Sequence, residues 1–261
     1  VGSGDELMRP ATRRQFVRMM GVGGAVVMLP AVFDACAMAP VPGAAAGAGL
    51  MFDLRSDVGI FRLVHTLEQL EVAFYTAVVA HPSFTSYFSG PEQELFTDLR
   101  NVEMVHREFL RTALGAQAVP DVRGAINGAT LNSILSSRDN ILGASRLFEH
   151  LGVSGLNGAG KYLQDARNLL LAGKFVSVEA RHAAALRDVA PPVGMNANTA
   201  FAGDDIVDSN GMDVKLEAGA VLDHVASAHI VQDGALSSGN ITYAPTARQG
   251  KSSSNFFPTT P

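Results

Sequence analysis

Cysteine is almost missing: Cys36 is the single one among 261 residues. No intrachain disulfide can form, so the fold must be held by packing and, where ligands converge, by metal. Basic residues are also scarce relative to acidic ones, 20 Lys and Arg against 25 Asp and Glu for a net charge of −5, and they do not cluster beyond the N-terminus. That balance argues against nucleic acid as a partner. An acidic stretch, Asp204, Asp205, Asp208, Asn210 and Asp213, lacks both the spacing of a calcium-binding helix-loop-helix and its closing Glu, and reads as a solvated turn. The last residues, 251–261, have neither a helical nor a strand period, although Phe256 and Phe257 could dock onto the bundle or a partner. What is plentiful is apolar residues, 47% of the chain, enough for one sizeable core in one or two domains.

The apolar residues of 57–190 fall on helical stripes, and those stripes carry ionisable groups where Leu or Ala would be expected. In VEARHAAALR (178–187) the stripe runs Phe175, Glu179, His182, Leu186, Val189, in steps of four and three, which puts a carboxylate and an imidazole on one buried face. VEMVHREFLRTALG (102–115) repeats the arrangement on Phe96, Leu99, Glu103, His106, Leu110, Ala113. Each Glu-x-x-His helix is preceded by a helix with a single inward Glu. Glu68 lies on Phe61, Val64, Glu68, Tyr75, Val79, and Glu149 on Leu142, Ser145, Glu149, Gly152, Leu156. An unpartnered buried carboxylate costs several kcal/mol or takes up a proton, so these stripes predict a partner, and a metal ion is one. The competing reading, in which the groups merely pair with one another, has to bury four Glu and two His together.

The order Glu, Glu-x-x-His, Glu, Glu-x-x-His is the ligand set of ferritin-like di-iron and di-manganese carboxylate bundles. The chain also resembles the exported bacterial ferritin-like proteins, desiccation-related members included. The resemblance covers about 57–190 and rests on LEQLEVAFY (67–75), VEMVHREFLRTALG, FEHLGVSGLNGAGKYL (148–163) and VSVEARHAAALR (176–187). It implies an all-α fold: an antiparallel four-helix bundle with one long crossover. In such helices the first Glu is commonly followed seven residues later by Tyr, as Glu68 is by Tyr75; after Glu149 the same position holds Leu156. Tyr75 can be read as hydrogen-bonding a ligand carboxylate and exchanging an electron with the site, or as core filler. Glu71 is an alternative to Glu68 whose neighbours suggest a flanking position. His65 and His150, beside proposed ligands, read as helix-edge groups or as supports for those ligands.

Taken in order, 12–18 (TRRQFVR) and the apolar run 19–33 have the form of a twin-arginine export signal, with Met8 as the natural start. Phe33, Asp34, Ala35 and Cys36 approach a lipoprotein cleavage box; the alternative is an idle thiol. If retained, 19–38 has about the ~20 residues a membrane anchor needs. Residues 1–36 are thus signal or anchor, 37–56 a Gly- and Pro-rich linker, 57–190 the bundle, and 191–261 an irregular arm with one short helix at 215–229. Within the bundle the spacing predicts helices over 57–79, from Pro91 to Gly115, over 138–156, and over 161–189 after a break at NGAG (157–160). The crossover occupies 116–137, with a short helix near Thr130. Some 20 extended residues at about 3.3 Å each can return along a bundle about 33 Å long.

Glu68, Glu103, His106, Glu149, Glu179 and His182 are therefore expected to bind two iron or manganese ions, with zinc a competitor. Glu103 with His106 and Glu179 with His182 would each hold one ion, Glu68 and Glu149 bridging or completing the shells. The expected function is redox chemistry on ferrous iron, oxygen or peroxide, of ferroxidase, peroxidase or catalase type, protecting a periplasmic or membrane-anchored site against oxidative stress. A homo-oligomer is compatible with this, but a 24-subunit storage shell is not implied. The alternative is a non-enzymatic accessory or scaffold subunit of a membrane-associated assembly, its site vestigial.

Overall fold

A computed structural model of the protein describes residues 49–242. The export signal, Cys36, the 19–38 span and the Phe256–Phe257 tail lie outside the described residues. Among those described, no helix is long and apolar enough to cross a membrane.

The first long helix, α1 (Asp57–Ala80), starts where the Ser56 hydroxyl accepts from the Gly59 N–H at 3.1 Å. It ends at His81, because the following Pro82 disfavours helical backbone before it. A one-turn helix, α2 (Phe84–Tyr87), leads into α3 (Gly90–Leu114). Pro91 lies in the first turn of α3, Ser89 and Glu92 form a capping box, and Gly115, at φ 54°, terminates it. The crossover carries one short helix, α4 (Gly128–Leu135). Two long helices follow, α5 (Arg138–Ala159) and α6 (Ala166–Val189), capped by Ser137 and Asp165.

Together α1, α3, α5 and α6 form an all-α four-helix bundle. Hairpins α1–α3 and α5–α6 are its most closely packed pairs. The crossover returns the chain to the end where α3 began: Tyr87 O–H donates to the Ser136 carbonyl at 2.8 Å, and Arg138 pairs with Glu92. Hence α5 runs antiparallel to α1. Phe74 stacks on Phe148 at 4.9 Å near one end of that pair, and at the other Asp57 accepts from the Gln164 and Asp165 N–H groups at 2.8 and 3.0 Å.

Two buried polar side chains of α1 tie down the crossover. Gln69 Oε1 accepts from the Val122 N–H at 3.1 Å, and its Nε2 donates to the carbonyls of Val119 and Pro120. His65 Nδ1 accepts from the Val119 N–H at 3.3 Å. His65 is therefore neither at a helix edge nor behind a ligand, as the sequence suggested. It is buried, satisfying backbone that would otherwise be orphaned.

The structure departs from the expected boundaries at NGAG. Helix α5 runs through Asn157 and Gly158 to Ala159, and a single 3₁₀ turn (Gly160–Tyr162) follows before α6 begins at Ala166. Gly158 is there for close approach: a Cβ at this position would stand 1.8 Å from the Leu216 carbonyl oxygen. The glycine admits another segment, and sequence alone cannot separate that use from a helix stop.

That segment belongs to the 191–242 stretch, which wraps the bundle. It contains α7 (Ala197–Ala200) and α8 (Ala218–Ser227). Val221, Leu222 and Val225 of α8, then Ile230, Val231 and Leu236, are buried in the core. Buried Arg187 of α6 donates to the Ala200 carbonyl at 2.5 Å and to Asp205 at 2.6 Å. The segment returns to pair β2 (Ile241–Thr242) in parallel with β1 (Phe52–Asp53). Phe52 and Leu54, read from sequence as linker, are fully buried in the core. The acidic turn closes on itself, Asp208 accepting from the Asn210 and Met212 N–H groups.

Candidate metal centre

Four helices each turn one or two ionisable groups into the middle of the bundle. Glu68 comes from α1, Glu103 and His106 from α3, Glu149 from α5, and Glu179 and His182 from α6. The Glu-x-x-His spacing of α3 and α6 sets each pair on one face, three residues apart. Glu103 and Glu149 are fully buried, and Glu68 and Glu179 nearly so.

The structure brings all six residues together in two overlapping groups. His106 Nδ1 lies 3.0 Å from Glu103 Oε2, 3.1 Å from Glu179 Oε1 and 3.4 Å from Glu68 Oε2. His182 Nδ1 lies 2.8 Å from Glu103 Oε1, 3.2 Å from Glu149 Oε2 and 3.7 Å from Glu179 Oε2. Within each group one donor atom per residue lies within 4.8 Å of all the others. Glu103 and Glu179 belong to both groups, Glu68 and Glu149 to one each. The sharing thus falls on the Glu-x-x-His carboxylates, and of the two roles the sequence offered Glu68 and Glu149, bridging or completing the shells, their membership of one group each matches the second. Linear spacing cannot assign it, because it depends on which helices face each other across the bundle.

Burial makes this an electrostatically demanding place. It pushes Glu68 well above the usual carboxylate range and Glu149 to about 8, with neighbouring carboxylates adding to the effect. Burial would also raise Glu179, but the flanking imidazoles outweigh it and hold that carboxyl at about 2. The imidazoles respond inversely. Burial opposes their charge, yet the carboxylates around them raise His182 to about 12 and His106 strongly in the same direction. Without a metal the cluster gathers protons, and imidazolium serves as its cation.

Protons do not satisfy it fully. Glu68 Oε2, Glu103 Oε1 and both carboxylate oxygens of Glu179 are buried without a hydrogen-bond partner. The nearest imidazole nitrogens lie 2.8–3.7 Å from them without making a hydrogen bond to these atoms. Orphaned carboxylate oxygens converging with two imidazole nitrogens form a donor set that divalent iron, manganese or zinc accepts. The residues present therefore fit a metal ion.

Around the donors, the Tyr75 hydroxyl, wholly buried, donates to Glu149 Oε1 at 2.5 Å, tying α1 to the carboxylate of α5 rather than to Glu68 on its own helix. His106 packs against the Phe175 ring at 4.5 Å, and Phe109 lies 5.9 Å beyond it. The imidazoles keep 12% and 11% of their side-chain surface exposed, so solvent meets the cluster past them. His150 is half-buried, and burial lowers its pKa. Glu71, the alternative to Glu68, is buried on the same stripe, Val64, Glu68, Glu71, Tyr75, Val78, but it is Glu68 and not Glu71 whose carboxylate joins the converging donors.

The ferritin-like domain family model matches residues 56–191, just over half of the 261 residues and the whole of the bundle. No significant match was found among curated proteins or among solved structures. Fold, helix order and family match agree, and the chain belongs to the ferritin-like domain family.

Proposed function

We propose that the protein is an exported dimetal oxidoreductase acting on ferrous iron, oxygen or peroxide, and that it protects the periplasmic side of the membrane against oxidative stress. One observation carries the reading: two carboxylate–imidazole groups share Glu103 and Glu179, with orphaned oxygens converging between them. Glu68, Glu103, His106 and Glu179 would hold one iron or manganese ion, and Glu103, Glu149, Glu179 and His182 the other. When bound, such a pair supplies two-electron redox chemistry without release of a radical.

The chain's own residues have three tasks. Glu103 and Glu179, common to both groups, would hold both ions and offset their charge. Tyr75 orients Glu149 through its 2.5 Å hydrogen bond and lies close enough to exchange an electron with the site. Phe175 packs on His106 at 4.5 Å, with Phe109 5.9 Å beyond it, and so would hold that imidazole in place at the side where it meets solvent. Export rests on the twin-arginine pattern of 12–33. The accessory reading rests on a retained N-terminal segment together with a long irregular C-terminal arm, and residues 218–241 of that arm contribute to the bundle's own core, which favours the redox reading.

The test loads anaerobic metal-free protein with ferrous or manganous ion, adds oxygen or peroxide, and follows optical change and peroxide loss. Wild type should respond, and a variant carrying Glu179→Ala with His182→Ala should not. Equal behaviour would remove the enzymatic reading and leave the accessory-subunit one.

A further inference from the structure

The crossover is tied to α1 through His65 and Gln69, and the 191–242 wrap packs on α5, where Val221 meets Gly155 and Leu216 meets Gly158. Crossover and wrap touch each other at Ile126 and Val231. Both therefore lie along α1 and α5. The opposite face of the bundle, made by α3 and α6, keeps large apolar side chains in solvent: Val105 and Phe109 of α3 are 43% and 44% exposed, and Leu170 of α6 is 61% exposed. Contiguous apolar surface of this kind marks a place where something docks.

Charge on that face is sorted by helix. A Cβ at Gly152 would stand 3.5 Å from Glu179, and one at Gly160 would stand 3.7 Å from Leu169, so α5 lies to that side of α6. The other edge of α6, turned toward α3, carries Leu170, Lys174 and Arg181. On α3 the edge turned toward α6 is marked by Phe109, whose ring lies 5.9 Å from Phe175, and it continues through Val105 and Asp98 to Glu94. Glu94, Asp98, Lys174 and Arg181 are all exposed, and among the described residues none of them forms an ion pair; Arg181 has only the Ser177 hydroxyl, at 3.2 Å. One helix thus offers acid and the other base, with apolar side chains alongside both.

Such a face is complementary to itself. A two-fold axis running along the bundle sets α3 of one copy against α6 of the other, acid against base, and does so twice. An axis across the bundle would set α6 against α6, base against base. The register supports the first arrangement. His182 lies 2.8 Å from Glu103 and His106 packs on Phe175 at 4.5 Å, so Arg181 is level with the residues next to Glu103, and Asp98 stands about one turn, roughly 5–6 Å, nearer the start of α3. An arginine side chain spans that offset.

We infer that the α3–α6 face is an interface between two copies of the chain, with Val105, Phe109 and Leu170 as its apolar part and Asp98 of each copy facing Arg181 of the other. The inference does not depend on the metal reading. The face follows the seam where His106 and His182 keep their remaining exposure, so pairing screens both imidazoles from solvent.

The experiment follows the mass of the full chain by sedimentation velocity at micromolar concentration and low salt. Wild type should be a dimer. Lys174→Glu with Arg181→Glu leaves acid facing acid, and Glu94→Lys with Asp98→Lys leaves base facing base; each double variant should weaken the dimer by about tenfold or more while its helical circular dichroism is retained, because all four positions are exposed. Mixed in equal amounts, the two variants present acid to base at both contacts and should sediment together as a heterodimer. Phe109→Asp should be monomeric. A wild type that stays monomeric, a dimer that both charge reversals and Phe109→Asp leave intact, or reversed variants that remain monomeric when mixed would overturn the inference.

Discussion

Replacing Tyr75 by Phe removes one oxygen atom from the centre of the bundle and nothing else. The ring would keep its packing, 5.0 Å from Phe74 and 6.3 Å from Phe96, so the change isolates the hydrogen bond to Glu149. Above about pH 8, where Glu149 is ionised, a buried hydrogen bond to its charged carboxylate contributes about 1.5–3 kcal/mol. Glu149 retains His182 Nδ1 at 3.2 Å and would not be wholly orphaned, which sets the expectation toward the lower half of that range. For a folded unit of this size each kcal/mol moves the melting temperature by about 2–4 °C. Metal-free Tyr75→Phe should therefore melt roughly 3–9 °C below wild type by scanning calorimetry at that pH. Metal affinity should fall as well, because the carboxylate loses the group that orients it. A melting temperature within 1 °C of wild type together with unchanged affinity would refute the reasoning, leaving Tyr75 as core filler.

The metal-free protein should lose stability as pH rises. His106 and His182 hold their protons above the ordinary imidazole value, so their contribution is complete below about pH 6.5 and drains away toward about 12 for His182. Glu68, Glu71 and Glu149 are raised too, and the fold loses stability as pH climbs from about 4.5 through about 8 for Glu149. Glu179, held at about 2, acts in the opposite sense, losing its contribution as pH falls toward that value; His65 and His150, lowered by burial, also act in that sense but are two groups against the five raised ones of the cluster. Melting temperature should thus decline between about pH 5 and 9 without metal and flatten with it; a metal-free curve that rises over this range contradicts the site's electrostatics. Gly158→Ala should drive a methyl group into the Leu216 carbonyl, cost about 1–3 kcal/mol and expose 191–242 to protease, while leaving metal content unchanged. Loss of metal from this variant would mean that the wrap supports the site directly.

The bundle was legible because its signals are periodic and redundant. The stripes through Glu103–His106 and Glu179–His182 specify inward faces whatever the loops do. What sequence could not supply was set by contacts between distant segments. Gly158 looks like a helix stop until Leu216 lies against it. His65 looks like a helix-edge residue until the crossover backbone at Val119 needs an acceptor. Phe52 reads as linker until Ile241 pairs beside it. Within the site, the division of carboxylates between shared and unshared follows from helix facing, as does the choice of Glu68 over Glu71, which lies on the same stripe.

The most direct test of the account is metal content. Full-length protein purified from its native host, or reconstituted without oxygen, should carry about two iron or manganese ions per chain by elemental analysis, as dimetal carboxylate bundles do. The paired change Glu103→Ala with Glu179→Ala removes both shared carboxylates and should abolish binding while the helical circular dichroism is retained. Wild type that stays metal-free under replete conditions, or a double variant that still holds two ions, would contradict the central claim.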